Sequence, residues 1–341
     1  MEIPSSIYSK NNISKIYLKS TSNDFKKEIW EFFKYQPKEE NGFGNSFYDM
    51  KEEDFYKNGL NILFDREKGI GIKKGDVPKT VFFLFFNNKI IGIYSMRHSI
   101  NSQVKHLGHI GYSIKKEFRG KGFGRIGLHL AIKELRKILP NEEKEIFVTT
   151  YNYNISSIMI LISNGFFNYA NNNDIELYFS VNKNNNIWIH QIPFDELNNI
   201  VCIFNDYIKF LKNENLSEFN DNIINENLFK KYIENNLLYG IYEDDILLGF
   251  CVYEKIENDV LLINYITINL KIEGKDIELK LINYGIEHGK GKGCKIIRII
   301  VNDKMVNIKK FIEEKRFEFK KNENIKISNF DLIKSIYEKL I

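Results

Sequence analysis

The run Arg119-Gly120-Lys121-Gly122-Phe123-Gly124 lies between an apolar stretch ending near Ile114 and a helix-like segment beginning near Arg125. Glycines at 122 and 124 let a ligand approach the backbone with no Cβ in the way, and N–H groups at a helix start converge where the helix dipole favours an anion. The spacing reads either as a plain turn or as a cradle for phosphate, with a pyrophosphate as the natural guest. A P-loop is excluded because Arg125 and Ile126 stand where Lys and Ser/Thr are required, and the parallel βαβ unit of a dinucleotide fingerprint is missing. A second run, His288-Gly289-Lys290-Gly291-Lys292-Gly293, is richer in glycine. It follows a helix and precedes a strand, so it offers carbonyls rather than N–H groups and reads as a helix-to-strand turn.

No carboxylate lies between His98 and Ile114, but His98, His106 and His109 do. An imidazole of ordinary pKa, ~6.5, accepts a proton at neutral pH, so His109 and His98 are candidate general bases; the alternative is a core or turn histidine bonded to backbone. No Cys or carboxylate in that stretch completes a metal shell, and no metal is expected.

A wider pattern surrounds the glycines: the strand Gly108-His109-Ile110-Gly111-Tyr112-Ser113-Ile114 before them, then Asn154-Ile155-Ser156-Ser157 and Asn164-Gly165-Phe166 after them. Residues 1 to about 180 resemble the GNAT superfamily of N-acetyltransferases. The family signature Arg/Gln-x-x-Gly-x-Gly/Ala is matched by Arg119, Gly122 and Gly124, and its later Asn-x-x-Ser/Ala and Gly-Phe by Asn154, Ser157, Gly165 and Phe166. The stretches Val77-Pro78-Lys79-Thr80, Ile91-Gly92, Met96-Arg97-His98-Ser99-Ile100-Asn101 and Gly108–Tyr112 resemble a bacterial subgroup of predicted acetyltransferases.

The resemblance implies acetyl-CoA as co-substrate and direct attack on it, in a ternary complex, by a primary amine of a small molecule or an amino terminus. It places Ser113, Ile114 and Lys116 beside pantetheine, with the Ile114 N–H near the thioester carbonyl. It places Arg119, Gly120, Lys121, Gly122, Phe123, Gly124 and Arg125 around the pyrophosphate. Asn154 and Ser157 belong to the same site, although Asn154 also reads as an N-cap. Such a transfer needs a held donor, an N–H aimed at the thioester oxygen, a base for the amine and a proton for the thiolate. The family often takes that proton from a Tyr whose position is Leu161 here. Either Tyr112, Tyr151 or Tyr153 replaces it, or water does, or the domain is a non-catalytic acyl-CoA-binding or regulatory module.

Those residues need a fold to hold them. With 341 residues, 43% of them apolar and 14% aromatic, two domains with a core each are expected. Three widely separated cysteines suggest neither disulfides nor zinc and suit a reducing cytoplasm. The run 81–86 is too short to span a bilayer and Met1–Ser6 has no leader character, so no membrane association is expected. A charge of +4 from 49 basic and 45 acidic residues, without a basic stripe, argues against nucleic acid. Glu39, Glu40, Asp49, Glu52, Glu53 and Asp54 either draw a cationic amine to the site or form a solvated face.

The expected fold class is α+β (a mixed α/β sheet). Thr80 to Phe86 and Lys89 to Met96 form a hairpin across Asn87-Asn88; His109 to Ile114, a helix from Phe123 ended by Pro140, Glu145 to Thr150, and a helix from Ile155 closed by Gly165 follow. Asparagine-rich segments mark a boundary at about 180–187, giving domains 1–180 and 187–341. The order then repeats: Tyr239 to Tyr242, Ile246 to Tyr253, Val260 to Leu270, helix Ile277 to His288, Lys295 to Val301, helix Asn307 to Lys315. Gly249 answers Gly92, and Arg316-Phe317 answers Gly165-Phe166. This resembles a tandem GNAT arrangement, each domain with a mostly antiparallel sheet, flanking helices and a splayed strand pair. Aligning Ile268 with Ile114 puts Glu273, Asp276 and Glu278 at Arg119, Gly122 and Gly124, and Met305 at Asn154, so the second copy is expected not to bind coenzyme A in the usual way. The chain is then a monomer with an internal pseudo-dimer, or a homodimer.

Overall fold

The computed structural model describes residues 7–172, 175–211, 226–257, 259–272, 276–302, 306–327 and 330–341. They form two compact units that divide between Asn185 and Asn186.

In the first unit an antiparallel sheet runs β1 (Ile16–Ser20), β2 (Lys79–Phe86), β3 (Lys89–Arg97), β4 (Ile110–Ile114), with β1 at one edge, then β2, β3 and β4. Asn87 and Asn88 both take positive φ, 48° and 61°, the pair of left-handed residues that a two-residue hairpin turn demands. A separate three-stranded sheet holds β5 (Glu145–Tyr151), β6 (Phe167–Asn172) and β7 (Glu176–Asn182), with β7 central.

Both faces of β2 and β3 are apolar because helices cover each side. On one, α1 (Lys26–Lys34) and α2 (Leu60–Glu67) bury a largely aromatic cluster that includes Phe32, Phe33, Phe47, Phe55 and Phe83. Several of these rings meet edge to face, as quadrupoles prefer. On the other, α3 (Phe123–Ile138) presents Phe123, Ile126, Ala131 and Leu135 at helical spacing and stops where Leu139 turns extended before Pro140. A fourth helix, α4 (Ile155–Ser163), ends at Gly165 with φ +81°.

In the second unit one sheet holds seven strands: β8 (Ile187–Gln191), β9 (Leu238–Glu243), β10 (Ile246–Glu257), β11 (Val260–Ile268), β12 (Ile296–Asn302), β13 (Glu318–Ile327) and β14 (Phe330–Leu340). Their order is β8, β9, β10, β11, β12, β14, β13, which is the order of the first unit with its two sheets joined. The helices are α5 (Leu197–Leu211), α6 (Glu226–Glu234), α7 (Ile277–Gly291) and α8 (Val306–Glu314). The repeat extends to register: Gly92 pairs with Ile114 and Gly249 with Ile268. The helix α7 runs further than the sequence suggests, through Gly289 and Gly291, and Gly289 is buried on its inner face, where a Cβ would overlap Ile297.

The two sheets differ at their centres. β11 and β12 pair in parallel from Val260/Ile296 to Ile263/Ile299 before separating. The corresponding β4 and β5 meet only at the bridge Gly108/Val148 and the bond from the His109 N–H to the Phe147 carbonyl, 2.7 Å. Beyond that point they diverge.

Candidate active site

The gap between β4 and β5 opens into a cavity of about 560 Å³. Its walls are built by strand register. The Arg97 N–H bonds the His109 carbonyl and the Lys115 N–H the Ile91 carbonyl, both at 2.8 Å, so alternate residues of β4 are committed to β3. The N–H and C=O groups of Ile110, Tyr112 and Ile114 therefore point the other way, along an edge that β5 leaves unpaired. Ser113 pairs with Ile93, so its backbone faces β3, and only its side chain belongs to the cavity. Lys116 does not line the cavity; it starts a short 3-10 turn.

At the end of β4 the glycine run wraps into α3. Gly122 is the N-cap residue, with φ +88°, and no side chain caps the helix. The N–H groups of Gly122, Phe123 and Gly124 have no hydrogen-bond partner among the described residues. Such a turn presents donors and a positive dipole end to an anion. Arg119, Gly120, Gly122, Gly124 and Arg125 line the cavity. Phe123 and Lys121 do not: Phe123 is core, and the Lys121 ammonium donates to the Glu117 carbonyl at 2.7 Å. Gly124 serves packing as well, since a Cβ there would stand 2.7 Å from Ile160 Cδ1 of α4. A Cβ on Gly122 would overlap the Tyr8 hydroxyl, so the turn is closely covered by the N-terminal segment.

Arg119 is already engaged. Its Nε donates to the Ile114 carbonyl at 2.7 Å, and its two terminal nitrogens grip Glu40 at 2.7 and 2.5 Å. Those hydrogen bonds hold the Glu40 carboxyl below its ordinary value. Glu40 is thus tied to the glycine turn. Asp49 lies 3.6 Å from Lys38 on the surface, and Glu52, Glu53 and Asp54 form an exposed helical turn, so these four acids are solvated groups.

Asn154 does cap α4: its Oδ1 accepts the Ser157 N–H at 3.2 Å, while its Nδ2 has no partner among the described residues. The Ser157 hydroxyl shares a 2.8 Å hydrogen bond with the Tyr112 hydroxyl, and all three residues line the cavity. Burial drives the Tyr112 phenol well above its ordinary pKa, the Ser157 hydrogen bond opposing, so it stays protonated. Leu161, at the family's Tyr position, is fully buried and outside the cavity. Tyr153 is exposed and stacks on Tyr151, which does line the cavity.

The two histidines singled out as bases lie elsewhere. His109 is fully buried, its Nδ1 accepts the Phe147 N–H at 3.0 Å, and its Nε2 has no partner among the described residues. Burial and then the Arg97 charge lower its pKa to about 4. His98 is outside the cavity too, 2.8 Å from the Thr80 hydroxyl, and burial lowers its pKa. A buried imidazole that no substrate reaches is a structural acceptor, so the strand position that suggested His109 misled: the side chain faces the closed start of the β4/β5 gap. Among the described residues no group of His, Cys, Asp and Glu suited to a metal is present.

The cavity also contains residues that the sequence did not single out for this site. Glu176 on β7 lines it, accepting from the Tyr178 hydroxyl at 3.0 Å and the Asn172 amide at 3.3 Å. Arg66, Lys79 and Arg97 line its other end. A signal existed for two of them: Lys79, Val81, Ile93, Ser95 and Arg97 share one face by strand alternation, and its charged ends interrupt an apolar surface.

Two antiparallel sheets that part between neighbouring strands β4 and β5, with a glycine turn at the mouth of the gap and helices on both faces, define an α+β domain. Residues 44–166 match the model of the acetyltransferase (GNAT) family, and the first unit carries a domain of that kind. No curated protein matches the chain significantly. Similar solved structures include a GCN5-related N-acetyltransferase from Rhodopseudomonas palustris, 16% identical with a TM-score of 0.38, over 45% of this chain and 94% of that one. A putative acetyltransferase from Salmonella typhimurium, determined with its cofactor acetyl-CoA, is 11% identical with a TM-score of 0.36, over 46% and 94%. A ribosomal-protein-alanine N-acetyltransferase from Brucella melitensis is 12% identical with a TM-score of 0.37, over 45% and 99%. No helix among the described residues is long and apolar enough to cross a membrane.

Proposed function

We propose that the first unit transfers the acetyl group of acetyl-CoA to a primary amine by direct attack in a ternary complex. The observation that carries this reading is the continuity of one cavity from the unpartnered N–H groups of Gly122 and Gly124 along the open edge of β4. Pyrophosphate seats at the turn, and pantetheine amides pair with Tyr112 and Ile114 as an added strand does. The N–H of one of these two residues faces the developing oxyanion.

Glu176 is the cavity-lining carboxylate not drawn into an ion pair, and it takes the proton from the attacking amine, directly or through water. The amine nitrogen bonds the thioester carbon, the carbon–sulfur bond breaks, and Tyr112, kept neutral by burial and coupled to Ser157, protonates the departing thiolate. The second unit, which repeats the strand order without the glycine turn, is a GNAT-like domain that does not hold coenzyme A in this manner, and the chain is a monomer or homodimer. It works in the cytoplasm on a small-molecule or peptide amine.

Replacing Tyr112 by Phe tests the assignment. The kcat for thiol release is expected to fall roughly 100-fold with acetyl-CoA affinity retained. Unchanged kcat removes Tyr112 from the mechanism. The burial of Leu161 favours a second reading, a regulatory module that binds acyl-CoA; acetyl-CoA binding with no thiol release from any amine supports it.

A further inference from the structure

The end of the cavity away from the glycine turn is cationic. Lys79 on β2 stands opposite Arg97 on β3, and Arg66 of α2 joins them in the same wall. None of the three forms an ion pair with a carboxylate among the described residues. Arg66 donates to the Ser46 hydroxyl at 2.9 Å and Arg97 to the Gly108 carbonyl at 2.8 Å, but the Arg97 Nε is buried without a partner and the Lys79 ammonium has no hydrogen bond among the described residues. Asp76 is the carboxylate whose field reaches both Lys79 and Arg97; it accepts the Val77 N–H instead. Burial, with Arg66 and Arg97 beside it, lowers the pKa of Lys79.

Partly buried cations left without counter-charge are costly unless something pairs with them. Position says what. Met96 pairs with Ile110 and Gly92 with Ile114, so the cluster lies at the start of β4 and the glycine turn at its end, about 13 Å apart along the strand. An acyl carrier gripped at the turn and laid along β4 delivers its acyl group toward the cluster, and the acceptor enters beyond it.

We infer that the acceptor carries a carboxylate near its amine, and that Lys79 and Arg97, with Arg66, hold that carboxylate while the amine faces the thioester. This inference rests on the acetyl-transfer reading and narrows its substrate to amino-acid-like or peptide-like anions. It sets aside the alternative in which Glu39, Glu40, Asp49, Glu52, Glu53 and Asp54 draw a cationic amine, and leaves the solvated face.

The test compares free α-amino acids and dipeptides with the same compounds amidated at the carboxyl, following thiol release from acetyl-CoA, with calorimetry of acetyl-CoA alone as a separate arm. Carboxylate acceptors are expected to show kcat/KM about 30-fold above their amides, and Lys79→Met is expected to bring that ratio close to one while acetyl-CoA affinity persists. Lys79→Arg, which keeps the charge, restores most of the ratio. Amides used as well as or better than the acids overturn the inference, as does acetyl-CoA binding with turnover of neither set. Preference for succinyl-CoA with indifference to the acceptor's carboxylate puts the charge on the acyl chain and overturns it too. Absence of acetyl-CoA affinity instead defeats the acetyl-transfer reading itself.

Discussion

Gly122 and Asp276 occupy the same place in the two units. Each is the left-handed N-cap of the helix that follows the central strand, with φ +88° and +48°. The conformation is preserved while the chemistry is inverted. In the first unit bare N–H groups face a cavity; in the second a carboxylate stands at the turn and Glu278 sits in the first helical turn. Glu273 and Met305, the other replacements expected there, lie outside the described residues. The strands tell the same story, since β11 and β12 pair over four residues where β4 and β5 meet at one bridge. A turn demanded by topology thus survives in both units, and both strand pairs part on the way to it; the units differ in how far the strands pair before the split and in the charge at the turn.

Following the strand register through the bulge between β10 and β11, His109 answers Leu262, which does not titrate. That difference makes the first unit acid-labile. His109 has a folded pKa of about 4, below its unfolded value of ~6.5, so the unfolded state binds more protons between those limits and stability falls as pH drops through them. The loss is about 3 kcal/mol at pH 4, and His109→Gln, which keeps an acceptor for the Phe147 N–H, is expected to flatten the profile in chemical denaturation. An unchanged profile removes His109 as the source.

A smaller effect is expected from moving the acid of the second turn into the first. Nothing lies within 4 Å of a Cβ on Gly120, and its φ of +72° is one that Asp adopts more readily than most residues, so Gly120→Asp acts mainly by charge, with Gly120→Asn as the control for backbone strain. Coenzyme A affinity measured by calorimetry is expected to fall about 30-fold, about 2 kcal/mol for like charges near 8 Å. The reverse change, Asp276→Gly, is expected to create no affinity, because Glu278 remains in the first turn of α7. Gained affinity there would end the claim that acid near the turn excludes an anion.

The smallest effect lies at the other shared turn. Gly165 takes φ +81° and Arg316 φ +63°, and the next residues, Phe166 and Phe317, bond back to Leu161 and Ile312 at 3.1 Å. Arg316 pays a left-handed penalty that glycine does not, so Arg316→Gly is expected to raise stability by about 0.5–1 kcal/mol. Gly165→Ala is expected to lower it by about 1 kcal/mol or more, since its Cβ would press on Asn185 at 2.7 Å. Thermal unfolding reads both, and equal responses would make the two turns equivalent.

Strand alternation, the Asn87-Asn88 hairpin, the proline and glycine that end α3 and α4, the glycine turn and the register of the internal repeat were all readable along the chain. Each depends on side-chain period or on a backbone conformation that few residues adopt, and both are local properties. The roles inside the cavity were not readable in this way. Lys79, Arg97 and Arg66 come together through pairing of β2 with β3 and the packing of α2, Glu176 arrives from a strand beyond α4, and Glu40 reaches Arg119 across 79 positions. His109 looked like a base because its residue type was right, and burial made it a neutral acceptor instead. Electrostatics and accessibility belong to groups brought together from distant parts of the chain, so packing alone assigns them.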